Sequence, residues 1–217
     1  KEEKVRIFID SANIDEIREI HVLGFLDGVT TNPTLVAKEG RDYHQLISEI
    51  CNLVAGPVSA EVIAMDYQGM MREARVLAAI HPHVVIKIPL TEDGLKAISS
   101  LRKEGINTNA TLIFSCNQAI LAARAGASYV SPFIGRVDDI SYDGVALLKD
   151  LIEILDQYML DTEVIAASIR HPMHVTAAAL AGSHICTVPY AVIKQMIKHP
   201  LTDAGIERFM NDWKRVF

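Results

Sequence analysis

No run in this 217-residue sequence approaches the roughly 20 consecutive apolar residues of a membrane span. The opening KEEKVRIFIDSAN has neither the hydrophobic segment nor the cleavage pattern of a signal peptide. Cysteine is scarce: Cys51, Cys116 and Cys186 stand far apart among apolar or small neighbours, which argues against a disulfide framework and for free thiols in a reducing compartment. These absences lead to the expectation of a cytoplasmic chain with no membrane partner. A positive excess is missing too. The formal net charge is -6 and the basic residues are spread over helix-like segments, so nucleic acid is not an expected partner, although a local basic pocket stays open to small anions. His81, His83, His171 and His174 form no zinc spacing with the cysteines, and the HPH tripeptide reads as solvent-facing. Neither a Rossmann fingerprint nor a GxxxxGK[ST] loop occurs, and no metal site is expected.

What is present is an alternation. Eight β-rich runs, VRIFID, GVTTNP, PVSAEVIA, HVVIKIP, NTNATLIF, SYVSPFIG, TEVIAASI and HICTVP, are separated by segments of helical period. The helices are expected at 14–21, 43–53, 67–80, 92–103, 115–125, 145–158, 174–181 and 191–198. Another spans 202–216, with Thr202 as its N-cap and Ile206, Phe209 and Trp213 on one stripe. Glycine precedes the next strand in RKEGIN, ARAGASY and ALAGSHI, as compact turns after helices require. Half of the residues are hydrophobic, enough for one core, and no composition break divides the chain. The expectation is a single (β/α)8 barrel domain over 1–217 with an additional C-terminal helix. An open doubly wound sheet is the structural alternative.

One lysine inside an apolar strand demands explanation, because desolvating an unpaired charge is costly. If Lys87 points into the barrel, Val85 lies inward below it and Val84 and Ile86 face the helices. The same parity gathers Asp10, Thr30, Asn32, Glu61, Asn109, Thr111, Ser131 and Ser168 near strand ends, where barrels build their sites, and turns Phe133 toward the same pocket. Ordinary readings exist for most of them. Asp10 is positioned to cap a helix opening at Ser11 or Asn13, Asn32 before Pro33 suits a turn, and Thr30, Thr111, Ser131 and Ser168 are common enough in strands to mean little alone. Glu61 and Lys87 are harder to dismiss, since a purely structural ion pair there would bury two charges with no need for either.

A buried amine suits Schiff-base chemistry with a ketone, because burial favours the neutral form that attacks. Glu61 and Asp10 are candidates for the proton transfers, with Thr111 holding a water for Glu61. Arg136 and Arg170 follow strand ends and, with Ser168, are suited to grip a phosphate. Either arginine alone more commonly pairs with a surface carboxylate, and Asp138 and Asp139 lie close to Arg136. Together with the lysine they point to a phosphorylated sugar.

The motifs FIDSAN, GVTTNPTLVAKEG, SAEVIAMD, VVIKIPLTEDGLKA, GINTNATLIFS, YVSPFIGRVDDI and VIAASIRHP run in order across most of the chain, and the sequence resembles the transaldolase family, in the short branch that also contains fructose-6-phosphate aldolases. The resemblance implies a TIM barrel with Lys87 as the Schiff-base lysine of the fourth strand, Asp10 as the proton-transferring aspartate, and Glu61 with Thr111 positioning the catalytic water. It further implies that Thr30, Asn32, Asn109 and Ser131, beside Phe133, meet the dihydroxyacetone portion of the substrate and that Arg136, Ser168 and Arg170 bind its phosphate. The aldolases carry glutamine at the position of Glu61 and tyrosine at that of Phe133, so both positions here match the transaldolases. The implied activity is transfer of dihydroxyacetone from sedoheptulose 7-phosphate to glyceraldehyde 3-phosphate in the pentose phosphate pathway, without metal or organic cofactor. The alternatives are a fructose-6-phosphate aldolase and a noncatalytic sugar-phosphate-binding barrel. A homo-oligomer is also implied, a decamer in short members of the family, with the C-terminal helix reaching an adjacent subunit.

Overall fold

In the computed structural model, which describes residues 5–216, eight parallel strands close into a barrel in sequence order. They are β1 Arg6–Asp10, β2 Leu26–Thr30, β3 Val58–Glu61, β4 Val84–Pro89, β5 Thr108–Ile113, β6 Tyr129–Pro132, β7 Glu163–Ala166 and β8 Ile185–Pro189. Pairing of β8 with β1, from Arg6 opposite Ile185 to Asp10 opposite Pro189, completes the ring and removes both sheet edges. Residues 1–4 and Phe217, included in the expected single-domain span, lie outside the described residues. Among the described residues no helix is long and apolar enough to cross a membrane.

Alternation along β4 divides the interior in two. Val84, Ile86 and Ile88 join the large apolar layer between barrel and helices, whereas Val85 and Lys87 point inward. The lower barrel is filled by Phe8, Ile165 and Ile185, with Tyr129 packed on them. Above that plug the inward positions turn polar.

The helices are α1 Ile14–His21, α2 Pro33–Glu39, α3 Tyr43–Leu53, α4 Tyr67–Ala78, α5 Glu92–Lys103, α6 Cys116–Ala125, α7 Ile134–Asp139, α8 Gly144–Gln157, α9 Pro172–Leu180, α10 Tyr190–Ile197 and α11 Pro200–Val216. Two of these, α2 and α7, escape the periodicity reading. Each has too few residues to show a period: α2 begins at the Asn32–Pro33 turn signal, and α7 begins inside the expected strand run SYVSPFIG, which ends as a strand at Pro132. Asn32 caps α2 by accepting from the Leu35 amide at 3.0 Å, with Pro33 in the first turn where its missing N–H costs nothing. Thr202 is not the cap of the last helix. That helix opens at Pro200, and the Thr202 amide already donates to His199 O at 3.0 Å. The expected glycine turns do form, with φ of 75°, 97° and 85° at Gly105, Gly126 and Gly182.

Candidate active site

The strand ends of the barrel enclose a cavity of about 220 Å³ lined by Asp10, Thr30, Asn32, Lys87, Ser131, Phe133, Arg136, Ser168 and Arg170, together with Thr187 and Pro189 of β8 and residues of the loop after β7. Nine of the expected site residues therefore line one cavity. Glu61, Asn109 and Thr111 do not line it, but pairing of β3, β4 and β5 sets Glu61 and Asn109 on either side of Lys87 and Thr111 opposite Pro89.

Lys87 is 4% exposed. Its Nζ lies 3.1 Å from Glu61 Oε2 and donates to the Thr31 carbonyl at 2.9 Å. These contacts satisfy the ammonium that burial would otherwise strand, and they leave the amine at the cavity wall. Asn109 acts as a strut, donating to Ser59 Oγ at 3.2 Å and accepting from Ser131 Oγ at 2.8 Å. Thr111 Oγ1 is buried without a hydrogen-bond partner among the described residues. The register of β5 shifts between Ala110 and Ile113, where Leu112 adopts a φ of 57° before Ile113 pairs again opposite Pro132.

Asp10 caps nothing, because Asn13 accepts the first amides of α1. Thr30 Oγ1 instead donates to Asp10 Oδ1 at 2.8 Å and stands 2.5 Å from Thr187 Oγ1. Burial raises the Asp10 carboxyl above its ordinary range, against the opposing pull of Lys87 and the Thr30 hydroxyl. A carboxyl held this way is readily protonated, and so suited to exchange protons with a bound substrate. Thr187 was missed in the sequence, although alternation in HICTVP turns it away from the buried Cys186 and Val188 and into the barrel.

The opposite wall is cationic. Arg136 lies on α7, one turn beyond β6 and not in an extended loop, with its guanidinium carbon 5.0 Å from the centre of the Phe133 ring. Ser168, Ile169 and Arg170 form the loop after β7, where Ser168 takes a φ of 60°, a left-handed geometry that costs a non-glycine residue about 1–2 kcal/mol. The carboxylate partner falls to Arg170 and not to Arg136: Asp139 Oδ2 is 2.7 Å from its Nη2, in a pair exposed enough for an anion to displace.

His81 and His83 are half-buried, with ring centres 4.6 Å apart, on either side of an exposed Pro82. The three cysteines are free, and burial pushes the Cys51 thiol up to about 11 and the Cys186 thiol up to about 12, which keeps both as inert thiols. None of the three lines the cavity, whereas the buried amine of Lys87 does.

Residues 7–217 match the family model described as Transaldolase/Fructose-6-phosphate aldolase. A probable transaldolase of Syntrophomonas wolfei is 70% identical over 213 residues, covering 98% of this chain and 100% of that one. Another, from Thermoanaerobacter sp. strain X514, is 61% identical over 97% of this chain and 98% of its own. Among solved structures, a thiamine phosphate pyrophosphorylase from Pyrococcus furiosus superposes with a TM-score of 0.59 at 15% identity, covering 88% of each chain. The carboxyl transferase domain of Rhizobium etli pyruvate carboxylase gives 0.64 at 12% identity, over 87% of this chain and 40% of that one. These two likenesses speak to the barrel alone.

Proposed function

The chain belongs to the transaldolase/fructose-6-phosphate aldolase family, and from that premise we propose that it is a transaldolase carrying dihydroxyacetone from sedoheptulose 7-phosphate to glyceraldehyde 3-phosphate on Lys87. Glu61, 3.1 Å from Nζ, takes the ammonium proton, the amine so freed adds to the C2 ketone of the donor, and the same proton passes to the carbinolamine hydroxyl, which leaves as water to give an iminium. A base, assigned to Asp10, takes the C4 hydroxyl proton as the C3–C4 bond breaks. The electron pair moves into the iminium as an enamine, and erythrose 4-phosphate leaves. The enamine then attacks the aldehyde carbon of glyceraldehyde 3-phosphate, Asp10 returns its proton to the new alkoxide, and water restores the amine and releases fructose 6-phosphate. Glu61 activates that water, held with the help of the otherwise unpartnered Thr111 hydroxyl. Thr30, Asn32 and Ser131 orient the three-carbon unit, with Asn109 acting on it through the Ser131 hydroxyl it holds, and Arg136, Ser168 and Arg170 hold the phosphate.

The observation that carries this reading is an amine 4% exposed, facing one carboxylate, in the same cavity as two arginines. Glu61 and Phe133 favour transfer over net aldol cleavage. Phe133 lines the cavity, and its ring has no proton with which to quench the enamine before an acceptor arrives. Borohydride added with fructose 6-phosphate is expected to fix an adduct on Lys87, read by peptide mass mapping, and Lys87→Ala to abolish it. An adduct elsewhere, or none, refutes the mechanism and favours a binding barrel. Product formation that needs an acceptor aldehyde supports the transferase, whereas equal release of free dihydroxyacetone without one supports the aldolase. For location, the free thiols agree with a reducing cytoplasm.

A further inference from the structure

The cationic wall comes from two separate segments, α7 with Arg136 and the loop with Ser168 and Arg170. His174, in the first turn of α9, touches both. Its side chain is 9% exposed and does not line the cavity. Nε2 lies 2.9 Å from Asp138 Oδ2 on α7, and Nδ1 accepts the backbone N–H of Arg170 at 3.2 Å. Asp138 is itself fixed, since Oδ1 accepts from the Gly144 amide that opens α8 at 2.8 Å.

A neutral imidazole has one donor and one acceptor, and only the Nε2–H tautomer serves both contacts. The charged or titratable groups around the ring are His171 at the start of α9, with ring centres 3.9 Å apart, Asp138 from α7 and Arg170 from the loop. Burial, followed by His171, holds His174 below its ordinary range and outweighs the pull of Asp138. The ring therefore stays neutral near pH 7, as its acceptor role requires.

We propose that His174 is a positioning residue for the substrate phosphate, bolting α7 to the Ser168–Arg170 loop so that the two arginines converge on one anion. The inference rests on the phosphate-site reading above. It predicts an effect confined to phosphorylated ligands, because His174 reaches neither Lys87 nor the wall that would meet the three-carbon unit.

Two substitutions separate the ends of the bolt. His174→Asn keeps an acceptor near the Nδ1 position and loses the Asp138 link, whereas His174→Gln keeps a donor near Nε2 and loses the Arg170 acceptor. With erythrose as a common unphosphorylated acceptor, so that either donor gives sedoheptulose and a distinct leaving aldehyde, both variants are expected to raise KM for fructose 6-phosphate about tenfold, His174→Gln the more, as misplacing a charge-assisted contact does. KM for fructose and both kcat values should change less than about twofold. Arg136→Ala is the control for the site itself. If it is selective for the phosphorylated donor while the His174 variants are silent or impair both donors alike, the positioning role is overturned; if Arg136→Ala is unselective, the phosphate reading falls and the inference with it. Wild-type protein supplies a test that does not depend on a variant folding. Inorganic sulfate should inhibit fructose turnover less well once pH falls below the point at which the His174 ring, followed by NMR, gains the proton that blocks its acceptor. Tighter inhibition at low pH, which added positive charge alone would give, also overturns it.

Discussion

Asp10 and Lys87 share one desolvated pocket, yet their surroundings treat them differently. Lys87 has a carboxylate at 3.1 Å and a carbonyl at 2.9 Å. Asp10 has a threonine hydroxyl, and burial outweighs the attraction of Lys87, so its carboxyl sits above the ordinary 3.8. The folded protein thus binds the Asp10 proton more tightly than the unfolded chain does. Below the ordinary value both states are protonated and Asp10 adds no pH-dependent cost. As pH rises from there to the raised folded value the ionised group progressively destabilises the fold, and above it the cost is complete. Asp10→Asn should therefore melt at or above the wild-type temperature at pH 8, with the advantage shrinking toward acid pH, while activity falls about 10²–10⁴-fold for want of a proton carrier. A variant that melts lower at pH 8 than wild type would mean that the Asp10 charge is net stabilising. Lys87 was readable because a charge interrupts an apolar run. Thr187 and His174 were not, since a strand threonine looks ordinary and the histidine acquires meaning only through Asp138 on another element.

Among the elements, α7 departs furthest from the sequence reading and has the most consequence for the site. Its six residues are too few to show a period, Arg136 reads from the sequence only as following a strand end, and the close packing of the helix on the next strand's loop left no signal except Gly135. Replacing glycine by alanine inside a helix ordinarily gains about 1 kcal/mol. At Gly135 the new Cβ would meet Ser168 O at 2.0 Å and Arg170 Cγ at 2.8 Å, and a backbone carbonyl cannot swing aside as a flexible side chain would. Gly135→Ala should therefore destabilise the protein by about 1–3 kcal/mol, the usual cost of overpacking, and weaken use of phosphorylated donors by parting the helix from the loop. Urea denaturation and KM measured on the same preparation test both. A stabilised variant with normal KM would show that the contact relaxes without cost. The eight strands were legible for the opposite reason: each is an apolar run whose alternation is imposed by having the helix layer on one side and the barrel interior on the other.

At the scale of the whole molecule the barrel is complete without α11, and the helix does not cover it. No residue of α11 is buried, and Leu201, Ile206, Phe209, Met210, Trp213 and Val216 are all more than half exposed. The stripe of Ile206, Phe209 and Trp213 was visible as periodicity, but the sequence left open whether it folds back or faces outward. We propose that its partner is a second copy of this chain, in keeping with the decamers of the short family members. Full burial of a large apolar side chain is worth about 1.5–3 kcal/mol, so covering this half-exposed set gives about 10 kcal/mol gross. Association costs about 4–15 kcal/mol, which makes a pair joined by one helix weak. A head-to-tail contact that closes into a ring lets every subunit give and receive a helix, and the ring then gains one contact more than the open chain. Dilution should accordingly convert the assembly to monomer with little intermediate dimer, and light scattering after chromatography at micromolar concentration should report the closed form. Phe209→Asp combined with Trp213→Asp is expected to yield monomer with an intact barrel by circular dichroism and a lower melting temperature, since subunits that bind only when folded stabilise one another. A wild-type monomer at that concentration, or an assembly indifferent to both substitutions, would exclude α11 as the joint.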